Sequence, residues 1–154
     1  MSKLNLGLHP TRPRMAVYIG AMQEQMLRLT VQIADGVLFS AASPLGYVSY
    51  AIRIMREEAD RIGRKLDEID VASYVLCYVS QDSEKAREKV KPRLLTFLLR
   101  PRWGEFIMEM AGLKPQLVDP IRAAFQKGDR RKALRKITDE IIDELCIVGS
   151  PPKA

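Results

Sequence analysis

The stretch MAVYIGAMQEQMLRLTVQIADGVLFS, residues 15 to 40, decides the fold class. Met15 to Ala21 is a short apolar run rich in β-formers, which predicts a strand buried on both faces. From Glu24 to Ala34 the residues Met26, Leu27, Leu29, Val31, Ile33 and Ala34 make a broad apolar set compatible with a packed helix. Asp35-Gly36 supplies a turn, and Val37 to Ser40 predicts a second strand. Strand, helix and strand in so short a span make a βαβ unit.

The pattern continues outward. Ser43 suits an N-cap and Pro44 a first helical position. Tyr47, Val48, Ala51, Ile52, Met55, Ala59 and Ile62 then recur at helical spacing until Gly63. Asp70 to Ser80 is almost continuously apolar and predicts one central parallel strand. After it the chain reads as helical: Ser83 to about Arg100 with a kink at Pro92, Trp103 to Ala111, Leu117 to Gln126, and Arg130 to Cys146. Leu134, Ile137, Ile141, Ile142 and Leu145 mark the last apolar stripe, and Thr138-Asp139 restarts it as a second helix. Gly149 then reads as a helix stop, with Ser150 and Pro151 opening a further helix. The expected organisation is an extended arm over 1–14, a βαβαβ unit over 15–80, a helical segment over 81–148 and a tail over 149–154.

At 154 residues, with 47% hydrophobic and 29% charged residues, the chain fits one globular domain. No apolar run is long enough to span a membrane, and the first fifteen residues lack the pattern of a signal peptide, so a cytoplasmic setting is expected. Cys77 and Cys146 then read as reduced thiols acting as small hydrophobes. The net charge of +6 raises nucleic acid as a partner, but acidic residues interleave the basic clusters and aromatics are only 6%. Solvated helix faces explain the charge better than a stacking platform.

Three parallel strands leave two open edges, which proteins seldom tolerate. A closed eight-stranded α/β barrel takes about 250 residues, so three units look like part of one.

The stretches RPRMAVYIGAMQEQMLRLTVQIADGVLFS, SPLGYVSYAIRIMREEADRIGRKLDEIDVASYVLCYVSQDSEKAREKVKPRLLTFL and DRRKALRKITDEIIDELCIVGSP resemble the luciferase-like monooxygenases. The similarity is greatest to deazaflavin-dependent methylenetetrahydromethanopterin reductases, through Pro13, Val17, Tyr18, Ile19, Gly20, Ala21, Met26, Ala34, Asp35, Gly36 and Val37. The resemblance implies a partial (β/α)8 TIM barrel holding strands five to seven, followed by several helices, with the first four strands and the eighth absent. It implies a flavin (FMN) or the deazaflavin coenzyme F(420) at the C-terminal strand ends, held by Gly20, Ala21, Met22 and Gln23. Where the family has Gly-Pro-Lys, this chain has Gln23-Glu24-Gln25. Glu24 sets a carboxylate where a phosphate would sit; it also suits a helix N-terminus on its own account.

Nothing else in the sequence competes. His9 is the sole histidine and lies in the arm, so no triad or metal cluster is expected. Glu57-Glu58 and Asp67-Glu68 read as solvated charge, and Trp103 as a packing anchor. Ser40, Ala41, Ser80 and Gln81 would line the mouth of a barrel, and no residue is assigned a catalytic role. The expected function is the C-terminal part of a flavin- or deazaflavin-dependent oxidoreductase, inactive alone. Its expected partners are further copies of itself or a complementary N-terminal half-barrel chain; the alternatives are a non-catalytic, self-associating remnant and one chain of a split enzyme.

Overall fold

The computed structural model describes residues 14–151, so the arm as far as Pro13, with His9 in it, lies outside the described residues. The βαβ reading holds at its start: β1 (Tyr18–Gly20), α1 (Glu24–Ile33) and β2 (Gly36–Phe39). There follow α2 (Leu45–Ile62), β3 (Asp70–Ser73), β4 (Leu76–Val79), α3 (Ser83–Leu98), α4 (Trp103–Met110), α5 (Pro115–Gln126), α6 (Arg130–Arg135), α7 (Asp139–Leu145) and β5 (Cys146–Gly149). β1, β2 and β3 form one parallel sheet in that order, and β4 pairs in parallel with β5 in another.

Several terminators act as the residue types dictate. Gly63 closes α2 in the left-handed conformation at φ 71°, returning its amide to the carbonyls of Ala59 and Asp60. Asp82 caps α3 by accepting the Lys85 amide at 3.0 Å. Thr138 does separate two helices, α6 and α7. Other expectations need correction. Ser43 does not cap α2; its hydroxyl donates instead to the Ser40 carbonyl at 2.7 Å, and Pro44 occupies the cap position without a side-chain bond. Gly36 is the first residue of β2 rather than part of a turn.

The segment Asp70 to Ser80 is two strands rather than one. Val71 sits beside Val37, whose side chain is fully buried against the helices. Strict alternation would send Leu76 to the opposite side, yet Leu76 is also buried in that core. The strand therefore falls one residue out of step at Tyr74-Val75, as an inserted residue makes it do. The last regular element among the described residues is a strand, β5, which Cys146 begins and Gly149 ends, so Gly149 does not stop a helix. Among the described residues the strands lie in two parallel sheets, and taking β3 and β4 as successive halves of one strand position gives four parallel positions where the sequence suggests three.

The core lies on one side of the strands. Leu27 and Val31 of α1, Val37 and Phe39 of β2, Tyr47, Ala51 and Met55 of α2, Leu94 of α3, Ile121 of α5 and Ile141 of α7 are buried in one cluster. Each buried Val, Leu, Ile, Met or Phe among them contributes roughly 1.5–3 kcal/mol relative to exposure. The other side is open among the described residues. Tyr18, Leu38, Tyr74, Val79 and Ile147 are all exposed there, so β1 is not buried on both faces. Cys77 is exposed as well, against the expectation of a small buried hydrophobe, whereas Cys146 is half-buried. Burial, with Asp143 nearby, pushes the Cys146 thiol up to about 12.

Glu57 and Glu58 differ. Glu58 is 1% exposed and sits in an ionic cluster with Arg61 at 2.5 Å, Gln32 at 2.5 Å and Arg28 at 3.6 Å. The Arg61 hydrogen bond, then that of Gln32, holds its carboxyl at about 2, well below the usual range. Glu57 lies further out and pairs Arg28 with Arg53.

Candidate functional site at the strand ends

The turn from β1 into α1 is fixed from two sides. The buried Tyr47 hydroxyl donates to the Met22 carbonyl at 3.0 Å. The Ser40 amide, just past β2, donates to the Met22 sulfur at 3.1 Å. Tyr47 is itself held edge-on by Phe39 at 5.4 Å and Phe106 at 6.0 Å between ring centroids. Met22 is thus held through both its carbonyl and its side chain.

A groove of about 390 Å³ opens here, with Gly20, Met22, Ser40, Ala41 and Tyr74 on its strand side. A side chain placed on Gly20 would meet nothing within 4 Å, so the glycine leaves room rather than relieving a clash. On its far side stand Arg93 of α3 and Arg100, just beyond the helix, with the Arg100 guanidinium 4.9 Å over the Phe97 ring. Neither has an ion-pair partner among the described residues. Two cations beside small, backbone-presenting residues make a mouth suited to an acidic ligand with an apolar ring.

The four residues singled out from sequence divide. Gly20 and Met22 line the groove; Ala21 is buried beneath it, and Gln23 is exposed at the α1 cap position with no side-chain cap bond. Glu24 is engaged by Arg28 through two bonds of 2.8 and 3.0 Å, which fits a role in the helix. Ser40 and Ala41 also line the groove. Ser80 lies elsewhere, beside Lys85 and Lys89, its hydroxyl accepting the Asp82 amide at 3.2 Å. Arg93 and Arg100 escaped the sequence reading because nothing local ties them to the first strand. A larger cleft of about 480 Å³ between α4 and α5 contains no strand residue. The Trp103 side chain is outside the description, and no group of metal-ligating side chains occurs among the described residues.

The model of the luciferase-like monooxygenases matches residues 6–154. The chain belongs to that family. It is 33% identical over 134 residues to a 5,10-methylenetetrahydromethanopterin reductase of Methanopyrus kandleri, covering 87% of this chain and 38% of the relative. The corresponding Archaeoglobus fulgidus reductase is 30% identical over 143 residues, covering 88% and 41%. The solved structure of the coenzyme F(420)-dependent tetrahydromethanopterin reductase from Methanopyrus kandleri superimposes with a TM-score of 0.77 at 31% identity. That match covers 89% of this chain and 39% of the reductase. The luciferase-like chain described here therefore spans about two-fifths of the length of the relatives it matches.

Proposed function

We propose that this chain is the carboxy-terminal half of a (β/α)8 oxidoreductase that uses coenzyme F(420), and that it acts only when the barrel is completed. The observation that carries the reading is the turn after β1, held at Met22 and opening onto a groove at the strand ends in a chain one-third identical to such a reductase. The residues present fit an acidic ring cofactor: Gly20 leaves space for a ring, the Met22 carbonyl is held by Tyr47, and Arg93 and Arg100 line the groove without an ion-pair partner among the described residues. When bound, a deazaflavin supplies hydride transfer, so the chain need only bind and orient. FMN is the alternative cofactor of the same mouth. No helix among the described residues is long and apolar enough to cross a membrane, and we place the reaction in the cytoplasm. The sheet's bare face also motivates a non-catalytic reading, in which the groove is inherited but unused.

The test is a fluorescence titration of coenzyme F(420) into the chain alone and into the chain mixed with the amino-terminal part of the Methanopyrus reductase. Saturable binding is expected once a barrel is complete. Arg93→Ala with Arg100→Ala should weaken it about tenfold or more, two charge-assisted bonds being worth over 1.4 kcal/mol together. Absence of binding by every complete assembly would leave the non-catalytic reading in place.

A further inference from the structure

We infer that the face and the two sheet edges left open among the described residues close on a second copy of this chain, the pair forming one eight-stranded parallel barrel. The inference rests on the barrel reading above and names its missing half.

The four strand positions all run in the same sense: β1, β2, the stepped pair β3–β4, and β5. A closed parallel barrel needs eight. A two-fold axis along the strand direction brings a second set of four into place with every strand still parallel. β5 of each copy then meets β1 of the other, giving two identical seams and no free edge. An antiparallel arrangement would require no such match in number.

The surface that would be enclosed has the right chemistry. Leu38 is 41% exposed, Tyr74 59%, Val79 61% and Ile147 59%, and they come from β2, the β3–β4 step, β4 and β5. Apolar side chains from successive strands, all on the face away from the helices, are what a barrel interior is filled with. An exposed apolar patch this continuous marks an interaction surface in a soluble chain. Among the described residues the carboxylate at this face is Asp70, which accepts from the Tyr18 hydroxyl; Cys77 is exposed there too, and Arg93 and Arg100 stand at its edge, in the groove beside Leu38 and Tyr74.

Sedimentation equilibrium of the chain without cofactor tests the closure. A mass twice 17.5 kDa is expected. Val79→Lys and Ile147→Lys place an ammonium on residues that a single copy leaves in water but a closed barrel makes dry. Each should return the mass to 17.5 kDa with the far-ultraviolet helical signal intact. A wild-type monomer would overturn the inference, as would a dimer that survives both lysines, which must use another surface. A monomer that instead binds the amino-terminal part of the Methanopyrus reductase would also overturn it, while leaving the oxidoreductase reading standing. A lysine-sensitive dimer that binds no coenzyme F(420) would do the reverse.

Discussion

Tyr47 shows how one side chain serves both core and site. Its ring fills the center of the helix layer, and its hydroxyl fixes the Met22 carbonyl at 3.0 Å. Tyr47→Phe keeps the packing and strands that carbonyl, so a loss of about 1–2 kcal/mol is expected, read as a lower urea midpoint at unchanged slope. Glu58 gives the chain an acid-sensitive element. Its folded carboxyl, at about 2, lies below the ordinary value of 4.5, chiefly through Arg61 and then Gln32. The stabilisation it contributes is present above the ordinary value and is lost as pH falls from 4.5 toward 2. Urea midpoints measured down this range should drop for the wild type and flatten for Glu58→Gln. Glu58 reads as solvated beside Glu57 in the sequence, because only the packing of α1 on α2 decides which carboxylate turns inward.

At the scale of elements, α1 ends on a borrowed donor. The Arg64 guanidinium donates to the Val31 and Ala34 carbonyls at 2.7 and 2.9 Å, covering groups that a helix terminus leaves open. Arg64→Ala should cost about 1–2 kcal/mol, and Asp82→Ala at the start of α3 about 1 kcal/mol, both measurable by chemical denaturation. Much of this layer was legible. The stripe from Tyr47 to Ile62, the glycine stop after it and the Thr138 break all follow from spacing and residue type. β5 was not, because Cys146-Ile147-Val148 follows α7 with no turn residue between them, and so short an apolar run fits either a helix or a strand. The step at Tyr74-Val75 was hidden too, since both residues are strong strand formers. For the site, Gly20 and Met22 could be found from their place after the first strand. Arg93 and Arg100 could not, as only the fold carries α3 back over the ends of β1 and β2.

At the scale of the molecule, the helices cover one face of the strands and leave the other bare. If folding and closure are one event, the melting temperature must rise with protein concentration, which scanning calorimetry over a dilution series measures. A concentration-independent transition is expected only for Val79→Lys and Ile147→Lys. The one-residue step in the β3–β4 strand adds a consequence of its own. Without it Cys77 would share the buried side with Val37; with it, the thiol emerges on the uncovered side. The chain thus carries a built-in reporter, whose labelling by a thiol-specific reagent is fast while the face is open and slow once something covers it. The half-buried Cys146 serves as the slow internal standard.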